Sequence, residues 1–299
     1  MDKNLISERI SFLIKIGVGL IFVLVPLAVF PKFLYPLTTP KIIVFQALTE
    51  IIFILWLINT FLNEKYQPRI TPLTITIFVS LIILSISAFF GVNMDKSLWD
   101  LIDRGTGLVL LWHLFALFLV IKTLKEYLTL KWFAVLNVIT GAMISFLALI
   151  QKFGWWPTSL VTNDFSRVYS TFANAPFLAS YLIIVLFLGL WLITTLKSNA
   201  LRLIVSLTAI LNLIVIFLTG TRSAVIGLAT GVIVLILWSV FKKKFTHLLI
   251  IGLVIASFGG VVALFLKTKN NQFWLNVPGI SRFASRSTAD NLIHRTFLW

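Results

Sequence analysis

Residues 42–62 read IIVFQALTEIIFILWLINTFL, and Glu50 is the only charged residue among them. A helix needs roughly 20 residues to cross roughly 30 Å of hydrocarbon, so this stretch is long enough for one membrane span. The whole chain has this character, because 59% of its 299 residues are hydrophobic and only 12% are charged. Soluble domains carry about 45–50% apolar and about 25% charged residues, so the composition excludes a soluble globular protein. The absence of cysteine excludes a disulfide scaffold.

Similar apolar runs follow one another along the chain and predict an all-α, polytopic transmembrane bundle of about nine spans. The runs are residues 12–30, 42–62, 73–90, 107–121, 132–150, 177–196, 203–218, 224–241 and 248–266. The bundle then covers residues 1–266, and residues 267–299 begin a large extracytoplasmic loop. Since the sequence stops at Trp299 inside a predicted helix with no signal that ends it, we expect it to be a fragment of a longer protein.

Lysine and arginine in the connecting loops set the orientation of such a bundle. With the N-terminus inside, 13 basic residues lie on the inner side and 7 on the outer side up to the ninth run. The inner set is Lys3, Arg9, Lys15, Lys65, Arg69, Lys122, Lys125, Lys131, Lys197, Arg202, Lys242, Lys243 and Lys244, and the outer set is Lys32, Lys41, Lys96, Arg104, Lys152, Arg167 and Arg222. We therefore predict a multi-pass protein of the cytoplasmic membrane. The net charge of +15 is spread over both faces, which disfavours nucleic-acid binding.

A very short connection, residues 219–223 with the sequence TGTRS, joins the seventh and eighth runs on the outer side. It places Arg222 between Thr221 and Ser223 at the N-terminus of a predicted helix. Unpaired N–H groups and the positive end of the helix dipole lie at that point, so the group suits a phosphate or diphosphate. The alternative is an arginine that only reaches toward the interface, and the surrounding hydroxyls favour the anion site.

The outer loop at residues 91–106 is longer than a connection needs. Its apolar residues recur at helical spacing and predict a short amphipathic helix in the interface, with Trp99 as an anchor. Arg104 follows, just before Gly105-Thr106-Gly107. Because glycine lets the backbone approach a ligand closely, Arg104 is a second candidate for anion binding.

Two further arginines lie in outer segments. Arg167 precedes the small polar run STFANAP at residues 170–176, and an anion site or a solvated loop arginine fits it equally well. Arg295 lies in the basic tail after Arg282 and Arg286. We expect Arg104, Arg167 and Arg295 to lie near the same cavity as Arg222.

A carboxyl group and an imidazole fall well inside the predicted spans. Glu50 and His113 lie at similar depth, roughly 10 Å from the outer end at 1.5 Å per residue. Ionisable groups inside a membrane are costly and usually paired, so we predict contact between them, either as a structural tie or as part of a cavity. Gly227 and Gly231 form a G-x-x-x-G pattern that predicts close helix packing.

Taken in order, the segments at residues 97–107, 167–179 and 218–224 resemble the O-antigen ligase and polymerase superfamily. The stretch around Arg295 and Trp299 adds a fourth segment, so the resemblance covers residues 97–299. It implies a fold of about twelve spans with one large outer loop. It also implies glycan transfer from undecaprenyl diphosphate, on the outer face of the cytoplasmic membrane, to a lipid, glycan or protein acceptor. Arginines hold the diphosphate in this family, and Arg222 matches the arginine of its motif.

The resemblance also implies a histidine in the large loop that assists the acceptor, and His294 lies too early to be that residue. No metal or cofactor is expected, because arginine can stabilise the leaving diphosphate. The first outer loop, residues 31–41, has two lysines and no acid, unlike metal-dependent membrane glycosyltransferases. The main alternative is a transporter of a lipid-linked glycan or small anion, and a non-catalytic scaffold is a third interpretation. Transporters bind near the midplane, whereas the charged residues here favour the outer side.

Overall fold

A computed structural model of the chain describes residues 3–68, 70–101, 104–124, 128–155 and 167–241, with side chains up to residue 237. All regular structure in these residues is helical, which confirms the all-α prediction for this part of the chain. The α-helices are α1 (Lys3–Leu27), α2 (Thr39–Leu62), α3 (Pro72–Phe89), α4 (Met94–Trp99), α5 (Leu108–Thr123), α6 (Leu130–Lys152), α7 (Ala175–Thr195), α8 (Asn199–Leu218) and α9 (Arg222–Phe241). Single turns of 3-10 helix lie at Glu64–Tyr66 and Ser170–Phe172.

Six of these helices, α1, α2, α3, α6, α7 and α8, are long and apolar enough to cross a membrane. Their length and composition are those of a multi-pass membrane protein. The helices α5 and α9 coincide with the fourth and eighth predicted runs, but their described apolar stretches are shorter. The six-residue helix α4 lies where the sequence predicts an interfacial helix, and Trp99 at its end is exposed. The ninth run, at 248–266, lies outside the described residues.

Several helices begin where the sequence places a start signal. Proline stands in the first turn of α2, α3 and α7, where its missing N–H costs no hydrogen bond. The side chain of Thr71 caps α3, and that of Ser198 caps α8. Such caps satisfy N–H groups that have no partner within the helix. They fix the ends of the helices, and with them the positions of the connecting segments.

The chain divides within α6 into two compact units, one ending at Ile144 and the other beginning at Ser145. In the first unit, α2 packs along α1 and α5 packs against both α2 and α3. A buried polar group ties α1 to α2: the Ser7 hydroxyl donates to Asn59 Oδ1 (2.7 Å), and Asn59 Nδ2 donates to Ser11 Oγ (2.9 Å). Hydrogen bonds of this kind average about 0.6 kcal/mol in membrane bundles.

This polar contact explains why α1 begins earlier than the predicted run at residue 12. Ser7 and Ser11 lower the hydropathy of the first turns, yet both are fully buried against α2. At the other end of the pair, the Lys41 ammonium donates to the carbonyl oxygens of Pro26 (2.7 Å) and Ala28 (3.0 Å). A cation at a helix C-terminus satisfies carbonyls that lack a partner, so Lys41 stabilises the end of α1.

In the second unit, α7 packs against both α8 and α9. The Ser145 hydroxyl of α6 donates to Asn212 Oδ1 of α8 at 2.7 Å, and both residues are buried. The G-x-x-x-G pattern of α9 faces α7. A Cβ atom at Gly231 would lie 2.2 Å from Cζ of Phe187, whereas one at Gly227 would lie 3.6 Å from Cδ1 of Ile183. The Phe187 ring therefore occupies the space that a side chain at Gly231 would need, whereas a Cβ atom at Gly227 would make an ordinary van der Waals contact.

We expect Gly231→Ala to destabilise the second unit by about 1–3 kcal/mol, the usual cost of overpacking. Gly227→Ala, one turn earlier on the same helix, should have little effect. Thermal unfolding of the purified protein in detergent measures both variants. Adding Phe187→Leu to Gly231→Ala should recover part of the lost stability, because the smaller side chain frees the space. Equal midpoints for the two alanine variants would show that the ring moves aside without cost.

Candidate functional site

Arg167 joins two distant segments of the second unit. Its Nε donates to the carbonyl oxygen of Thr219 at 2.9 Å, and its Nη2 donates to the hydroxyl oxygen of Thr221 at 3.1 Å. The next residue continues the contact, because the Val168 N–H donates to the carbonyl oxygen of Leu218 at 3.4 Å. The half-buried guanidinium is thus held by the turn between α8 and α9. This geometry is not that of a solvated loop arginine, and anion binding by Arg167 stays a prediction.

The turn between α8 and α9 is closely built. Gly220 has a φ of 61°, a conformation that glycine adopts without strain. The side chains of Thr219 and Thr221 are buried, and their hydroxyl oxygens lie 3.1 Å apart. Arg222 is the first residue of α9, so its backbone and that of Ser223 lie at the helix end where N–H groups lack intrahelical partners. Arg222 is half-buried and Ser223 is exposed. The turn offers the features of an anion site: a helix N-terminus, an arginine and a hydroxyl.

The segment that begins at Arg167 continues into α7. After Arg167 the chain makes one 3-10 turn at Ser170–Phe172, and α7 begins at Ala175. Ser170 and Thr171 are completely buried, and Ser170 has a positive φ of 51°. Residues 165–289 contain no aspartate or glutamate, so these helices carry no carboxylate of their own.

Gln151, which is not among the site residues predicted from the sequence, binds the backbone of the segment that follows Arg167. It lies in the last turn of α6 with 3% of its surface exposed. Its Oε1 accepts hydrogen bonds from two successive backbone N–H groups, those of Tyr169 (3.0 Å) and Ser170 (2.7 Å). The sequence does contain one signal for Gln151, which is a polar side chain in the last turn of an apolar run. That signal does not reveal which backbone groups the side chain binds.

Arg104 belongs to the first unit, where its loop has a different character. Gly105 has a φ of 56°, and a Cβ atom there would lie 2.4 Å from Ile42 Cδ1. A Cβ atom at Gly107 would lie 2.3 Å from the carbonyl oxygen of Leu98. Packing within the protein therefore accounts for both glycines, and close approach of a ligand is not needed to explain them.

A carboxylate also lies in the Arg104 loop. The Thr106 hydroxyl donates to the Asp100 carboxylate and holds the pKa of that carboxyl below its usual range, and the charge of Arg104 acts in the same direction. Asp100 is therefore ionised at neutral pH and offsets the positive charge of exposed Arg104. The second unit holds the stronger candidate for an anion, because the α8–α9 turn combines two arginines with helices that lack acids.

Glu50 and His113 are in contact in the first unit, with Nε2 of the imidazole 3.1 Å from Oε1 of the carboxyl. The other ring nitrogen, Nδ1, lies 2.7 Å from the carbonyl oxygen of Val109 and donates to it, because a carbonyl can only accept. The contact gives each of the two ionisable groups a polar partner, which lowers the cost of placing them in an apolar layer.

The remaining predicted site residue, Arg295, lies outside the described residues, as does His294. Within the described part of the chain, no three His, Asp or Glu side chains come together as metal ligands would. The structure thus brings together Arg167, Thr221 and the turn that carries Arg222. Comparison of the chain with protein-family models, with curated proteins and with solved structures finds no match in any of the three, so the function has to be argued from this site.

Proposed function

We propose that this chain belongs to a membrane glycosyltransferase of the O-antigen ligase and polymerase type. The enzyme would transfer a glycan from undecaprenyl diphosphate to a hydroxyl or amino group of a lipid, glycan or protein acceptor. The observation that carries the proposal is a contact between two of the segments that resemble this superfamily, residues 167–179 and 218–224. Arg167 and Thr219 lie 52 residues apart in sequence, and the Arg167 guanidinium donates to the Thr219 carbonyl oxygen, in the turn that leads into Arg222.

The chemistry of the transfer fits an arginine site. The acceptor oxygen or nitrogen attacks the anomeric carbon of the donor sugar and loses its proton to a base. The bond from that carbon to the diphosphate oxygen breaks, and the electron pair leaves with undecaprenyl diphosphate. Negative charge grows on the leaving oxygen, and donors placed around it lower the barrier without a metal. Arg222 and the first N–H groups of α9 are the groups that we assign to this task. Arg104 and Arg295 remain candidates from the sequence.

The proposed reaction requires the α8–α9 turn to face outward. We propose nine spans, with the N-terminus in the cytoplasm and the enzyme in the cytoplasmic membrane, on the basis of the 13 inner and 7 outer basic residues. The chain has no cysteine, so single cysteines report sidedness cleanly. Lys96→Cys in α4 should react with an impermeant maleimide from outside, whereas Lys197→Cys between α7 and α8 should react only in opened cells. Both residues are exposed, and labelling of both from one side would overturn the topology.

The experiment that tests the function uses membranes containing the complete protein. Donor glycan on undecaprenyl diphosphate is supplied on the outer side, and both products are measured: free undecaprenyl diphosphate and glycan attached to an acceptor. We expect the two products to rise together, with or without a metal chelator. Their absence with lipid, glycan and protein acceptors alike would contradict the proposal.

A second function, transport of a lipid-linked glycan or small anion, is favoured by one observation. The Glu50–His113 pair lies inside the predicted spans, and intramembrane ionisable pairs are typical of transport and proton pathways. Transport moves the substrate without breaking the bond between sugar and diphosphate. Transfer of donor across the membrane with that bond intact would therefore select this alternative, and cleavage of the bond would exclude it.

A further inference from the structure

We propose that Gln151 is a positioning residue that fixes the Arg167 segment on the α8–α9 turn and thereby shapes the proposed diphosphate site. The structural part of this inference stands on the hydrogen bonds of the second unit alone. Its consequence for glycan transfer rests on the proposed function. The position of Gln151 could not be assigned a role from the sequence, because its partners are backbone groups further along the chain.

The geometry of the Gln151 contact is that of a structural acceptor. One oxygen, Oε1, receives two consecutive N–H groups at 3.0 and 2.7 Å, and the side chain is almost fully buried. Two donors that converge on one atom fix both the position and the orientation of the peptide unit between Tyr169 and Ser170. The loss of this acceptor would leave two backbone N–H groups without it in a buried place, which costs about 1–3 kcal/mol per group.

The backbone at Ser170 also needs this support. Its φ of 51° lies in the left-handed region, which residues other than glycine, asparagine and aspartate seldom adopt. Such conformations cost about 1–3 kcal/mol and persist only where the surroundings hold them. The hydrogen bond from the Ser170 N–H to the Gln151 oxygen is one contact that supplies this restraint, and the complete burial of Ser170 shows that the segment is packed there.

Arg167 lies only three residues before Ser170, so the two anchors act on one short piece of backbone. At one end Gln151 holds the peptide, and at the other the guanidinium reaches Thr219 and Thr221. Movement of the backbone at Ser170 therefore moves the arginine away from the turn. A misplacement of about 1 Å in a catalytic site can cost about 10²-fold in rate. Gln151 would thus affect transfer through Arg167, without touching the donor.

The test compares one replacement of Gln151 that keeps an oxygen acceptor with one that removes it. Gln151→Glu keeps an oxygen that can accept both N–H groups, whereas Gln151→Met keeps the length of the side chain but accepts only weakly. Asn137→Leu is the matched control, because Asn137 is also buried on α6 but donates only to Phe133 within its own helix. All variants are made in the complete protein and compared at equal amounts in the membrane.

The first measurement does not depend on activity. Val168→Cys and Leu218→Cys are introduced together, at backbones whose N and O atoms lie 3.4 Å apart, and a short bifunctional thiol reagent links them. We expect efficient linking with Gln151, with Gln151→Glu and with Asn137→Leu. With Gln151→Met, linking should fall to the level of a pair in which Ser198→Cys, at the opposite end of α8, replaces Leu218→Cys. Linking of the Gln151→Met protein at the wild-type level would overturn the inference.

The second measurement is glycan transfer without the added cysteines. Gln151→Met should lower transfer about 10–100-fold. If Gln151→Glu loses linking as fully as Gln151→Met, the acceptor role is wrong. If the wild type transfers no glycan, the proposed function fails, while the linking result still decides the role of Gln151. If linking is lost but transfer is retained, Gln151 positions a segment that transfer does not need, and the inference is wrong.

Discussion

Arg222→Ala is expected to reduce glycan transfer by about 10²–10³-fold, the usual effect of removing one group that stabilises a developing negative charge. The complete protein should remain inserted and abundant, because Arg222 is the first residue of α9 and its replacement leaves the apolar stretch of that helix unchanged. Arg222→Lys keeps the charge but loses the planar fork that binds two phosphate oxygens at once. We therefore expect a strong reduction with lysine as well, and one at least as severe with alanine.

The measurement is release of undecaprenyl diphosphate and formation of glycan-bearing acceptor, at matched protein levels. Arg202→Ala is the control, because Arg202 lies at the opposite end of α8, where its Nε donates to the Leu196 carbonyl oxygen at 2.9 Å. Its loss removes one arginine and one hydrogen bond to a helix end, but not from the proposed site. Full transfer by Arg222→Ala, or an equal loss with Arg202→Ala, would remove Arg222 from the role that we assign to it.

Hydropathy predicts the helices of this protein well, because a bilayer imposes one requirement on every span. Eight of the nine predicted runs coincide with helices in the described residues, and the residues of α4 show the amphipathic spacing expected of an interfacial helix. The start of α1 is less accurate, because Ser7 and Ser11 look like loop residues until Asn59 is seen to bury them. Polar residues that bind each other across helices therefore escape a method that scores one residue at a time.

The site is harder to predict because its contacts join residues far apart in sequence. Depth alone suggested a contact between Glu50 and His113, since two costly groups at one level favour each other. The depth of a residue in the bilayer does not show which backbone carbonyl Arg167 reaches. The sequence therefore leaves both alternatives for Arg167 open, an anion site and a solvated loop arginine. Gly105 and Gly107 suggest a ligand site from the sequence alone. In the structure, the close packing of Ile42 and Leu98 explains why glycine is needed at these positions. A motif identifies important residues, but only packing shows what they touch.

Arg167→Lys tests whether the junction between the two motifs matters. Lysine can donate from a single point, so it cannot reach Thr219 O and Thr221 Oγ1 in the way that Nε and Nη2 do. The Thr219 carbonyl is part of a fully buried residue, and the loss of its donor costs about 1–3 kcal/mol. We expect a lower midpoint of thermal unfolding and a fall in transfer of about 10–100-fold, because the turn that carries Arg222 is no longer held.

Arg202→Lys separates the effect of Arg167→Lys on stability from its effect on glycan transfer. Arg202 also donates its Nε to a carbonyl oxygen at a helix end at 2.9 Å, so the same substitution removes a comparable bond on the other side of α8. Its unfolding midpoint should fall less, because Arg202 is exposed and loses one hydrogen bond where Arg167 loses two, and its transfer per folded molecule should stay at the wild-type level. If Arg167→Lys behaves in the same way, Arg167 only supports the fold, and the proposed site loses its second arginine. If Thr221→Val, which removes the acceptor of Nη2, adds no further loss to Arg167→Lys, the two residues act as one unit that positions Arg222.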